Sequence, residues 1–267
     1  MNAVQLAVTD GVTVAKRNSI KIVRSLDLLG SIVFLPVMFV LLFGYVFGSV
    51  IDIPGLSYRE FMLPGIFTLA VAMGSIVTGY GLTDDLQKGI IDRFRSLPMS
   101  PAAVLIGRTT ADLILNVTSL LIMGLVGLLV GWRIHTGVFE ALGGVLLLLA
   151  FAYALSWVMG TIGLAVRKPE VFNNVSSIAI FPLTFLANTF VDSGRLPTPL
   201  RVIADWNPIS AITQASRDLF GNTSPALPPH DVWPMQHAVL ASVLWIVVLL
   251  AVFVPLSVRC YQKATSH

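Results

Sequence analysis

The chain's 267 residues are 55% hydrophobic and only 12% charged, with a mean hydropathy of +0.84 and a formal net charge of +3. A water-soluble domain carries about 25% charged residues, so a soluble enzyme or soluble carrier is excluded and the chain reads as an all-α integral membrane protein. Its long unbroken apolar runs also exclude a β-barrel, whose strands alternate and are about 10 residues each.

Residues 10–28 carry Arg17, Lys21 and Arg24 at i, i+4 and i+7, with Val12, Ala15, Ile22, Val23 and Leu26 elsewhere on the wheel. That pattern predicts an interfacial helix on the inner leaflet. Crossing about 30 Å of hydrocarbon as helix takes roughly 20 apolar residues. Such runs fall near 29–51, 62–82, 109–131, 138–165, 171–191 and 237–258, giving six spans in a single domain, 1–267. Pro36 predicts a kink in the first span and Pro182 one in the fifth. Gly44 and Gly48 in the first, and Gly127 and Gly131 in the third, predict close helix packing, against a neighbour in this chain or in a second one. Asp112 stands one turn into the third span, where Arg108 at i−4 is its expected partner.

An even number of spans returns both termini to one side. Of the 17 Lys and Arg, only Arg59, Arg133, Arg195, Arg201 and Arg217 then fall on the opposite side. The positive-inside rule puts both ends in the cytoplasm of a cell (inner or plasma) membrane protein. The basic balance is thus topological, and no nucleic-acid partner is expected.

Between spans two and three lies the densest charged segment. As a helix opened by Thr83 or Asp84, it places Leu86, Ile90, Phe94 and Leu97 on one stripe, turns Asp85, Lys88, Asp92 and Arg95 mainly elsewhere, and stops at Pro98 and Pro101. A short amphipathic helix at the membrane face suits a groove on a soluble partner.

The stretch 192–236 is rich in proline yet patterned. Leu200, Ile203 and Trp206 form one short helical stripe; Ile209, Ile212, Ser216, Leu219 and Phe220 form a second, with Gln214, Arg217 and Asp218 opposite. Two short outer amphipathic helices are expected, with the junction 205–208 in need of burial or a wet cavity. Trp132, Trp206 and Trp233 fall at outer interface depth. Asn222-Thr223-Ser224 matches a glycosylation acceptor.

Chemistry is sparse. There is no Gly-Lys pair, hence no phosphate-cradling loop of the Gly-x-x-x-x-Gly-Lys-Ser/Thr kind. The four histidines and the single Cys260 have no metal-ligand spacing, so no metal is expected. Tyr80, Asn116 and Asn188 are candidates to line a route for an amphipathic molecule, with interhelical hydrogen bonding as the alternative.

At Asp85 to Lys88, Gly89, Asp92, Phe94 and Ser96-Leu97-Pro98-Met99-Ser100 the chain resembles the permease subunits of type-2 ABC exporters, particularly the daunorubicin-resistance-like drug-efflux branch. Ile90 stands where that family commonly has Thr or Ser. Asn207-Pro208-Ile209-Ser210, followed by Arg217, is similar to the family's Asn-Pro-hydrophobic-Ser/Thr element before the last span. The resemblance implies an interface for a cytoplasmic ATPase at Asp84, Asp85, Leu86, Lys88, Gly89, Ile90, Asp92, Arg93, Phe94, Leu97 and Pro98, with Arg17 and Lys21 beside it. It implies an outer re-entrant element at Asn207, Pro208, Ser210 and Arg217. It also implies two ATPase subunits that hold ATP and Mg, with no cofactor on this chain and no catalysis by it. A second permease, identical or homologous, and surrounding lipid complete the assembly. The function so implied is ATP-driven export of a lipophilic drug or natural product. Export of a lipid or lipid-linked glycan, an ion-gradient carrier, and a membrane anchor that moves nothing are the alternatives.

Overall fold

A computed structural model describes residues 34, 37–51, 53–90, 101–166, 168–190, 192–224, 226 and 231–264. The interfacial helix expected over 10–28, with Arg17 and Lys21, lies outside the described residues, as do Pro36 and the stretch 91–100 that holds Asp92, Arg93, Phe94, Leu97 and Pro98.

Among the described residues the chain is helical. A short apolar helix α1 (Val37–Val46) leads into a tight turn at Phe47–Ser49. Then follow α2 (Tyr58–Gln87), α3 (Pro101–Val130), α4 (Val138–Ala165) and α5 (Pro169–Phe185). Two short helices, α6 (Thr198–Asp205) and α7 (Pro208–Phe220), and one turn, α8 (Trp233–Gln236), precede α9 (Ala238–Ala264). Four of these, α2, α3, α4 and α9, are long and apolar enough to cross a membrane. This is a multi-pass membrane protein.

α2 is the axis of the bundle. Ser57 caps it by accepting from the Glu60 amide at 3.3 Å, and its hydroxyl donates to Glu60 Oε2 at 3.0 Å. Its 30 residues rise about 45 Å. The most apolar stretch of α2 is 83% buried, against 39% for α3 and α4 and 17% for α9. With α1, α3, α4, α5 and α7 all against it, α2 shows lipid almost nothing.

Water does not drive such packing inside a bilayer, so close approach must. α2 and α4 meet where a Cβ on Gly163 would fall on the Gly79 carbonyl. There the Thr83 hydroxyl is shared between Gly79 O at 2.9 Å and Gly163 O at 2.8 Å. The glycines at Gly44 and Gly127 also pack within this chain. A Cβ at Gly44 would meet Val130 Cγ1 at 3.2 Å, and one at Gly127 would meet Leu63 Cδ2 at 2.8 Å. Arg59 ties the same corner together, donating from Nε to Gly44 O and from Nη1 to Val130 O, both at 2.9 Å.

The structure corrects several boundaries. α4 spans the expected 138–165, but α2 runs past Leu82 to Gln87. Thr83 and Asp84 are therefore interior residues of α2 and not the cap of a separate helix: the Thr83 hydroxyl bonds backward to Gly79, and no Gly or Pro lies between Thr83 and Lys88. Pro101 opens α3, where the first turn has no use for its missing N–H; the segment expected to stop there lies outside the described residues. α5 ends at Phe185, shortly after Pro182, and the chain turns over 186–190.

Candidate functional site

The C-terminal end of α2 is built by a helix stop and two ion pairs. The Lys88 amide donates to Asp84 O at 3.0 Å and the Gly89 amide to Leu86 O at 3.1 Å. Gly89 takes φ +64°, the left-handed conformation that glycine adopts without steric cost. Lys88 Nζ donates to Asp84 Oδ2 at 2.7 Å on the exposed side. That hydrogen bond, with the Asp84 charge, raises the Lys88 pKa above its ordinary value, so the ammonium is charged throughout the neutral range.

Across the corner, Arg108 of α3 donates to Asp85 Oδ2 at 3.1 Å, both side chains being 18% exposed. Arg108 can lie against α2 because Gly81 is bare: a Cβ there would land on the guanidinium. This corrects the expected Arg108 to Asp112 pairing. Asp112 is 1% exposed and accepts a hydrogen bond from the Thr78 hydroxyl across the α2–α3 seam. Leu86 packs on the chain's own cluster of Leu82, Leu105, Trp157 and Tyr261, and Ile90 is half-buried.

The N-terminal end of α2 is gripped by α7. Asn207 caps that helix, its Oδ1 accepting from the Ile209 amide at 2.9 Å, while its Nδ2 donates to Leu183 O at 2.6 Å in the last turn of α5. Pro208 occupies the first turn. Ser210 Oγ accepts from the Asn188 amide at 3.0 Å. Arg217, 1% exposed, donates from Nε to Phe61 O at 2.8 Å and from Nη2 to Asn188 O at 2.7 Å and Thr189 O at 3.1 Å. Its guanidinium stacks 3.6 Å from the Phe61 ring centre. Burial lowers its pKa to about 9, against the opposing pull of Asp192 and Asp218, which leaves it charged at neutral pH. Asn207, Pro208, Ser210 and Arg217 thus join α7 to the end of α5 and the start of α2.

Gln214 and Arg217 are therefore buried and do not form the polar face expected for the second outer helix; only Asp218 of that trio is exposed. The reason is that the backbone carbonyls of the 186–190 turn need donors. The junction is covered as expected at Asp205 and Asn207, which are 2% and 4% exposed. α6 keeps Val202, Ile203 and Trp206 exposed.

Trp132 is a further correction. It is buried between Phe67 and Phe220 in edge-on contacts and donates from Nε1 to Asn222 Oδ1 at 2.7 Å. Asn222 in turn donates from Nδ2 to Arg133 O at 2.9 Å. An amide so enclosed is not a glycosylation acceptor. Sequence reasoning missed this pair, because an aromatic near a span end and an Asn-x-Thr/Ser pattern each suggest something more familiar.

The three route candidates are not gathered into one site. Tyr80 is 43% exposed on α2. Asn116 is buried against Gly74 and donates to Asp112 O at 3.0 Å. Asn188 belongs to the 186–190 turn, where its Oδ1 has no hydrogen-bond partner among the described residues.

Residues 10–220 match the family described as ABC-2 type transporter. The chain belongs to that family. It is 34% identical over 236 residues, 88% of this chain and 80% of the relative, to the "Daunorubicin resistance ABC transporter permease protein DrrB1" of Streptomyces coeruleorubidus. It is 26% identical over 192 residues, 72% of this chain and 66% of the relative, to the "Doxorubicin resistance ABC transporter permease protein DrrB" of Mycobacterium tuberculosis. A "Probable doxorubicin resistance ABC transporter permease protein DrrC" of the same organism is 23% identical over 252 residues, 91% of this chain and 84% of the relative. The resemblance read from the sequence therefore holds. As an ABC-2 chain it works with an ATPase partner, and the matched residues include both the Lys88-Gly89 corner and the α7 grip.

Proposed function

We propose that this ABC-2 chain is the permease subunit of an ATP-driven exporter that moves lipophilic compounds out of the cytoplasm. Two permease copies, or this one and a homologue, pair in the membrane with six spans each and cytoplasmic termini. Two ATPase subunits, carrying the ATP and Mg, dock at the segment from Asp84 to Pro98, helped by Arg17 and Lys21; this chain hydrolyses nothing. The observation that carries the reading is α2. Its inner end stops at the charged Lys88-Gly89 turn, and its outer end holds the carbonyl on which Arg217 closes. A displacement applied at the turn is delivered along one buried helix to the outer elements. The names of the relatives support anthracycline-like compounds as the substrate class.

The test is reconstitution of the chain with its ATPase in vesicles loaded with a fluorescent anthracycline. Efflux is expected to require ATP and to vanish in Phe94→Asp while membrane insertion stays intact. Normal efflux and unchanged ATPase co-purification in that variant would remove the docking assignment.

One observation favours an ion-gradient carrier as second reading: Asp112, buried against Thr78. Asp112→Asn separates the two. ATP-driven export is expected to survive it, whereas a proton-coupled carrier would lose transport outright.

A further inference from the structure

α9 is the least covered of the four long helices, and its exposed side has a direction. Leu244, Val248, Val252 and Leu256 follow one another at intervals of four and are all exposed. Residues so spaced share one helix face. At its C-terminal end this apolar ridge runs into a groove of about 470 Å³ lined by Leu256, Arg259, Cys260, Gln262 and Lys263. Arg259 and Lys263 stand at i and i+4, one and two helical turns beyond the last ridge leucine.

We propose that this groove binds an anionic phospholipid, its phosphate held between Arg259 and Lys263 and its acyl chains lying along the Leu244 to Leu256 ridge. Charge and shape both favour this occupant. An apolar strip long enough for an acyl chain ends in two cations at the depth where hydrocarbon gives way to headgroups, and the long basic stems can reach along the helix to that level. A soluble anion has no use for the ridge. The assignment of this end to the inner leaflet rests on the topology proposed above; binding of the lipid does not.

Cys260 makes the test direct, because it is the only cysteine in the chain and lies half-buried in the groove. Modification of Cys260 by a neutral maleimide is timed for the full chain in phosphatidylcholine vesicles with and without phosphatidylglycerol. Slower labelling is expected with phosphatidylglycerol, and none of that protection from inorganic phosphate in its place. Native mass spectrometry then reads the lipid retained by the detergent-extracted protein. Two basic side chains predict roughly thirtyfold preference for phosphatidylglycerol over phosphatidylcholine, lost in Arg259→Gln/Lys263→Gln. Equal protection by both lipids, protection by phosphate alone, or undiminished retention in the double variant would overturn the site. The labelling arm uses the unaltered protein, so it stands even if the double variant fails to insert. ATP-driven efflux is scored separately, and its absence would count against the transport reading without touching the lipid site.

Discussion

Arg217 shows why a charge persists where burial opposes it. No carboxylate pairs with it directly; it neutralises its surroundings by donating to three carbonyls from two segments and by lying on the face of Phe61. Its value is therefore geometric. Arg217→Met is expected to cost about 3 kcal/mol, since it strips charged donors from buried acceptors. Arg217→Lys should recover less than half, because an ammonium cannot reproduce the planar fork. Thermal unfolding of the detergent-solubilised variants checks both, and a lysine variant as stable as the original would contradict the account. Arg217 was visible in the sequence, but its direction was not: on a helical wheel it shares a side with Asp218, and only the carbonyls of the 186–190 turn pull it inward.

The α2 helix was legible as a span from its apolar run, and its true length was not. Charged residues at its foot read as the start of something new, yet Asp84 and Asp85 continue the same helix because each finds a cation, Lys88 or Arg108, within reach. The end is set by Gly89. Gly89→Ala is expected to cost about 1 kcal/mol locally through its positive φ, and to depress ATP-driven efflux while insertion and orientation are kept. Unchanged efflux would mean that the shape of this turn does not matter to coupling. The Asp85 to Arg108 pair makes a second prediction for this element. Asp85→Arg and Arg108→Asp should each weaken α2–α3 association and efflux, and the double swap should restore a substantial part of both. Strict additivity of the two losses in a double-mutant cycle would count against a direct interaction. The mirror case is α4, whose bounds were read correctly because Gly137 and Val166 flank an uninterrupted apolar run with no rival signal at either end.

For the molecule as a whole, hydropathy located the long helices, and the charged and Asn-Pro motifs fall at the two ends of α2. What could not be read was which faces turn inward. Glycine stripes that suit a second chain as well as this one proved to serve α1, α2 and α3, and Trp132, apparently an interface anchor, fills the core. Such choices depend on which partners the remaining helices supply, and a one-dimensional pattern does not carry that. Orientation can be tested on the same scale: a membrane-impermeant maleimide is expected to reach Cys260 in inside-out vesicles and not in intact cells. Labelling from the outside would reverse the topology, and with it the placement of the ATPase.

Pro64 lends α2 an uneven stiffness. It sits two turns from the outer end of the helix and cannot donate to the carbonyl four residues before it, while the remaining length down to Gln87 holds no further proline. In the export cycle proposed above, a tilt applied at the foot of α2 would travel up the shaft and yield at Pro64, so that one missing amide hydrogen sets where the tip bends.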